Sequence, residues 1–200
     1  GMIVAIFKRV LNIDLVTPFP QITYDDAISR FGLDRPDLRF GLELCEVSDI
    51  IKDAGFKVFA DVVKNGGLVK AVNAKGCATF TRKQIDELTE FTAVYKAKGL
   101  AWIKIKEDAW QSPIAKFFTD GERQEINSIL GAEEGDVLFF VADQPAIVHQ
   151  ALAELRLELA RRLGLFDKSV YSFVWIVDFP LLEYDHEEKR HVAVHHPFTA

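Results

Sequence analysis

Between Gln144-Pro145 and Gly164 the chain carries Val148, Ala151, Leu152, Leu155, Leu159 and Leu163 at helical spacing, with the proline placed to start a helix and the glycine to stop it. A helix of that length with one apolar stripe is stable only when a second layer covers the stripe. The fold is therefore layered, and the residues before the helix supply the second layer. Val58, Ala60 and Val62 alternate with Phe59, Asp61 and Val63, and Asn65-Gly66-Gly67 is turn chemistry leading into 68–72, which together predict a hairpin. Thr81 opens a predicted helix in which Ile85, Leu88, Thr92 and Tyr95 share a face, and Gly99 is placed to end it. Residues 100–106 follow as a strand, with Ala101, Ile103 and Ile105 on one face and Trp102, Lys104 and Lys106 on the other. That polar face predicts a sheet with one side in water. A helix over 120–130 and a strand over 137–142 complete the order strand, strand, helix, strand, helix, strand. This is an α+β architecture, two layers with helices on one face of a mixed or antiparallel sheet.

The flanking stretches read differently. Residues 2–11 resemble the end of a helix, and the prolines of Thr17-Pro18-Phe19-Pro20 forbid its continuation. Thr23, three residues before Asp26, is a capping signature for a short helix to Phe31 that Gly32 ends. Asp34-Arg35-Pro36-Asp37-Leu38-Arg39-Phe40-Gly41 then places charges on both sides of a proline, a pattern for a solvated loop that is either a site or a hinge. Beyond the long helix, 170–183 is nearly all apolar and predicts a strand buried on both faces, which His186-Glu187-Glu188-Lys189 turns back into an antiparallel strand over 191–195. Asp178 in that strand is either paired or marks where the strand meets solvent.

Charge is unevenly spread. The chain has 24 Lys and Arg against 30 Asp and Glu, yet 57–106 holds ten cations and four anions, so a segment of +6 sits in a remainder of −12. A solvated face accounts for such a segment, but Trp102 and Phe80 interleaved with lysines are also what an RNA-contacting surface uses, and Trp102, Lys104 and Lys106 are the candidate contact. Cys45 and Cys77 have neither CxxC spacing nor a paired histidine, so they read as reduced thiols of a cytoplasmic protein, with no metal site. His195 and His196 are the only adjacent imidazoles. On a strand they point to opposite faces and cannot chelate one ion together. Gly66-Gly67 lacks the spacing of a phosphate loop, and GxSxG and HExxH are absent. No apolar run approaches the roughly 18 residues of a spanning helix, and no membrane partner is expected.

Several strings together resemble one family. Pro18-Phe19-Pro20-Gln21-Ile22-Thr23-Tyr24-Asp25-Asp26-Ala27 and Phe31-Gly32-Leu33-Asp34-Arg35-Pro36-Asp37-Leu38-Arg39-Phe40-Gly41 are similar to the stretch after motif 2 of bacterial-type aspartyl-tRNA synthetases. Gly99-Leu100-Ala101-Trp102-Ile103-Lys104, Ala115-Lys116-Phe117, Gly135-Asp136-Val137-Leu138-Phe139-Phe140, Phe173-Val174-Trp175-Ile176-Val177-Asp178-Phe179-Pro180-Leu181 and His195-His196-Pro197-Phe198-Thr199 resemble the same enzymes in the same order. One departure stands out: Leu33 and Arg35 occupy a segment that usually reads Tyr-Gly-Ser-Asp-Lys, so a hydroxyl is lost at Leu33.

The resemblance implies a class II antiparallel sheet with helices, interrupted by an α+β GAD domain of the kind shared with the tRNA-dependent amidotransferase B subunit. It implies three parts: a catalytic flank over 2–44, the insertion over 45–143, and a second flank over 144–200. It implies ATP- and Mg²⁺-dependent esterification of tRNA with L-aspartate in a cytoplasmic parent enzyme that is a homodimer at full length. His195, with His196 beside it, is implied at the substrate aspartate, where an imidazole donor suits a carboxylate. Motifs 1, 2 and 3 and the anticodon-binding barrel are not among these residues. Gly1 before Met2 and the ending at Thr199-Ala200 also read as those of a piece of something longer. No catalytic residue and no bound cofactor are therefore expected in the chain itself. The rival expectation is a non-catalytic GAD-type module that binds protein or RNA.

Overall fold

The computed structural model describes residues 1–107, 109–185 and 188–194. In chain order the elements are α1 (Met2–Ile6, running on as a π-turn over Phe7–Leu11), β1 (Gln21–Thr23), α2 (Tyr24–Phe31), β2 (Leu44–Glu46), α3 (Ser48–Ile51), α4 (Lys57–Lys64) and β3 (Leu68–Ala74). They continue with α5 (Arg82–Val94), β4 (Ala101–Lys106), β5 (Ala109–Gln111), α6 (Asp120–Leu130), β6 (Val137–Asp143), α7 (Pro145–Arg162), β7 (Trp175–Val177), β8 (Leu182–Asp185) and β9 (Arg190–Ala193).

The expected α+β class is what forms. Its centre is a sheet in the order β2-β3-β6-β4-β5, with every neighbouring pair antiparallel. The layering differs from the expectation of one wet face. Val72, Val137, Phe139 and Val141 pack under Ile85 and Leu88 of α5 and under Val148, Leu152, Leu155 and Leu159 of α7. On the other face Val69, Ala71, Ile103, Leu138 and Phe140 pack under Ile51 of α3, Phe59 of α4, and Ile126 and Leu130 of α6. Helices thus cover both faces, and the near-continuous burial of β3 and β6 follows from that. The stripe that α7 was expected to bury is buried, from Val148 to Leu159.

Three local expectations are overturned. Residues 57–64 are helix α4, not the first strand of a hairpin, because Phe59, Val62 and Val63 also recur at helical spacing and a short apolar run satisfies both periods. Asn65-Gly66-Gly67 still turns the chain, with Gly66 at φ 79°, but it joins a helix to β3. The helix from Thr81 is confirmed with a full capping box on Gln84, yet it stops at Val94, where Lys96 rather than Gly99 takes the left-handed conformation. Residues 170–183 do not form one buried strand. β7 is short, Asp178 after it is left-handed (φ 59°) and Pro180 follows, and Trp175 and Leu181 are 57% and 70% exposed.

The outer segments form smaller pieces. β1 pairs with β7 in parallel, and β8 with β9 as the expected antiparallel hairpin. The Thr23 hydroxyl accepts from the Asp26 N–H at 3.1 Å, and Gly32 ends α2 at φ 77°. Gly32 also presses on α7: a Cβ there would lie 2.4 Å from the His149 carbonyl oxygen and 2.9 Å from the Ala153 Cβ.

Candidate nucleic-acid interface and adjoining cavities

Strand alternation along β4 sets the expected trio. Ile103 and Ile105 go into the core beneath α3, α4 and α6, and Trp102 packs against the edge of the core beneath α5 and α7. The Lys104 ammonium lies 6.0 Å from the centroid of the Trp102 ring and donates to the Phe80 carbonyl oxygen. Arg82, in the first turn of α5, brings its guanidinium 5.6 Å from the same centroid while pairing with Asp86 at 2.9 Å. Burial, with Lys106 nearby, lowers the Lys104 pKa. Lys106 is exposed. The ring is therefore already attended by two cations, a cation–π arrangement of modest strength in its own right.

The ten cations of the basic segment do not gather on one face. Lys57 and Lys64 stand at the ends of α4, on the face opposite Trp102. Lys98 pairs with Asp143 at 3.2 Å. Lys70 is 2% exposed and donates to the Ser29 carbonyl oxygen at 2.7 Å, so it fastens the last turn of α2 to the sheet. The cations that reach the Trp102 ring are Arg82 and Lys104, with Lys106 further along the same face of β4. His195 and His196 lie outside the described residues. Asp178 is exposed. Both thiols are free, and burial raises the Cys77 pKa to about 11. Among the described residues no group of three His, Cys, Asp or Glu side chains is placed to hold a metal, and no helix is long and apolar enough to cross a membrane.

Sequence reasoning passed over Arg156. Its guanidinium is 2% exposed and lies between the rings of Phe31 and Phe40, at 4.8 and 4.3 Å from their centroids. Nη2 donates to the carbonyl oxygens of Asp37 (2.6 Å), Phe40 (3.1 Å) and Gly41 (3.0 Å), and Nε to that of Leu42 (3.1 Å). Burial lowers its pKa to about 10, opposed by Asp37 and Glu43. The charged loop expected to be solvated is thus wound around a buried cation. A signal for it existed: Arg156 is four residues after Leu152 and three before Leu159, on the apolar stripe. Two cavities adjoin the loop. One of about 620 Å³ is walled by Gly41, Leu42 and Glu43 with Asn73 and Ile129, and one of about 300 Å³ by Pro36, Asp37 and Arg39 with Tyr171.

Residues 59–152 match the GAD domain family. Along all 200 residues the chain is 58% identical to an aspartate–tRNA(Asp/Asn) ligase of Geotalea uraniireducens (strain Rf4), of which it covers 34%. Over 199 residues it is 54% identical to an aspartate–tRNA ligase of Geobacillus kaustophilus (strain HTA426), again covering 34% of that protein. The chain spans about a third of the length of the curated relatives it matches.

Proposed function

We propose that the chain, which is similar to bacterial aspartate–tRNA ligases and matches the GAD domain family over residues 59–152, serves as one segment of such an enzyme, which joins L-aspartate to tRNA with ATP and Mg²⁺. The observation that carries this is identity sustained through both flanks as well as the GAD domain, since a free-standing module would have no use for the flanks. The chemistry of activation would rest on positioning and on neutralising phosphate charge, with groups beyond these residues. His195, beside His196, is assigned to the aspartate side chain. The parent is read as a cytoplasmic homodimer.

Within it, 45–143 would be inserted between the flanks 2–44 and 144–200, with α7 of the second flank packed on the insertion's sheet and completing its core. The register supports this. Leu44 pairs with Val72 and Val72 with Phe139, so β2 and β6 run side by side with only β3 between them, about 10 Å apart. The chain therefore enters the sheet on β2 and leaves it on β6, two strands over, with Asp143 four residues further along than the level of Leu44.

The test is to express the full reading frame and the 200-residue chain separately and measure aspartate-dependent exchange of pyrophosphate into ATP. Exchange is expected from the full protein and none from the chain alone. A full protein that charges tRNA with a different amino acid, or none, would refute the reading. For Trp102, Lys104 and Lys106 the proposal is RNA contact, supported by the cations around the indole. In the full protein, Lys106→Glu should weaken tRNA binding and reduce its salt slope by roughly one unit for each phosphate no longer neutralised. An unchanged slope would return this face to solvent.

A further inference from the structure

We propose that Arg156 is a positioning residue: from α7 it fixes the backbone of residues 37–42, and thereby where the loop's residues stand in the two cavities that they help to line. Three observations meet on it. The guanidinium donates to four backbone carbonyl oxygens of the loop. The Asp37 carboxylate is hydrogen-bonded by the Arg39 side chain, at 2.6 Å, so Arg156 is left to the backbone. Its aromatic walls come from two different places, Phe31 at the end of α2 and Phe40 in the loop, so a single side chain joins α2, α7 and the loop. Leu42 is held in the left-handed region at φ 62°, which a leucine does not choose unaided, and its carbonyl oxygen is the one bound by Nε.

Packing alone does not call for an arginine here. A buried cation with no carboxylate hydrogen-bonded to it carries a desolvation penalty that an apolar side chain of similar volume avoids. What the apolar substitute cannot do is donate to four carbonyls, and orphaned buried carbonyls are what a loop unwinds to avoid. The clamp sets where Gly41, Leu42 and Glu43 stand in the larger cavity and where Pro36, Asp37 and Arg39 stand in the smaller one.

The experiment is site-resolved tryptic cleavage of the 200-residue chain, following the Arg39–Phe40 bond beside bonds in the sheet unit, with the unfolding midpoint measured in parallel. In Arg156→Met, cleavage at Arg39 should accelerate at least tenfold relative to cleavage in the sheet. In Arg156→Lys, which keeps the charge but not the planar fork, the acceleration should be smaller. Should Arg156→Met fail to fold, the lysine variant still decides the matter. Unchanged cleavage at Arg39 in the lysine variant, or a rise shared equally by every site, would overturn the proposal, since a merely structural arginine would loosen the whole unit together.

Discussion

The outer segments on either side of the sheet unit from β2 to α7 are richer in large apolar residues than the unit itself, yet it is the unit that buries them. In the sheet unit Phe139, Phe140, Leu138, Leu152 and Leu155 are all at or below 1% exposure, whereas Val10, Val16, Trp175, Leu181 and Leu182 are 57–88% exposed in the outer segments. The difference is one of periodicity and layering rather than composition. A five-stranded sheet offers two faces, and α7 and α4 present stripes that match them. Outside it, the strands are three or four residues long, and β1 and β7 form a lone parallel pair, an arrangement normally covered on both faces. Burial follows where an element finds a partner of matching period.

The largest effect should come from removing α7. Val148, Leu152, Leu155 and Leu159 are fully buried, and each is worth about 1.5–3 kcal/mol when taken out of water. Four of them are comparable with the entire stability of a typical domain, about 5–15 kcal/mol. A chain of residues 44–143 should therefore lack a cooperative unfolding transition, while 44–165 should have one. Cooperative unfolding of the shorter piece, followed by circular dichroism in urea, would show that α7 is an accessory and that the sheet unit ends earlier than its core implies.

Single truncations sharpen the same contrast. Phe140→Ala should cost about 3–5 kcal/mol, because the ring touches Phe59 and leaves a cavity in a closed layer. Trp175→Ala, exposed on β7, should change stability by about 0.5 kcal/mol or less, despite removing a larger side chain. Urea midpoints that put the two on a par would abolish the distinction between the regions. At the seam, Gly32→Ala combines a left-handed φ with a Cβ driven into the His149 carbonyl, and about 2 to 5 kcal/mol is expected. A near-neutral result would mean that α2 is free to move off α7.

Legibility in the sequence divides along the same line. The α7 stripe, the Thr23 and Thr81 caps, β4 with its alternation, α6 and β6 were all readable, because each carries either a long period or an unambiguous cap. Residues 57–64 were misread because eight residues cannot separate a period of 2 from one of 3.6. The wet face was misread because Trp102 and Lys104 look solvent-facing in a strand, whereas the indole packs on the core and the ammonium reaches the Phe80 carbonyl. The buried strand at 170–183 failed because apolar content says nothing of whether a covering layer is present. Of the candidate site, the Trp102 and Lys104 cluster was readable from alternation alone. Arg82 joined it only through the approach of α5, and the carbonyl cage around Arg156 depends on hydrogen bonds that span more than a hundred residues. Backbone carbonyls carry no residue-specific signature, so nothing in 37–42 announces that it needs a cation.

The smallest expected effect is a pH dependence at the seam. Burial, with the Lys70 ammonium beside it, lowers the His149 pKa from the ordinary 6.5 to about 4. Between those values the unfolded chain binds a proton that the folded chain excludes, so stability should be fully present above about pH 6.5 and decline as the pH falls toward 4. Carboxylates act lower down. The Glu158 pKa is held at about 2 by hydrogen bonding to Arg161 and Arg162, and such groups lose their contribution only below their ordinary value of 4.5. In the window from pH 6.5 to 5 the His149 imidazole therefore acts without those carboxylates. In that window the urea midpoint of the unaltered chain should fall slightly, and His149→Gln should flatten the slope because glutamine has nothing to protonate. His149 is only partly buried, so solvent screening keeps the effect small and the slope, rather than the absolute midpoint, is the quantity to compare. Identical slopes would mean that the α2–α7 seam admits water freely. The boundary between the two regions would then run along the α2–α7 contact, leaving α2 wholly with the outer segments.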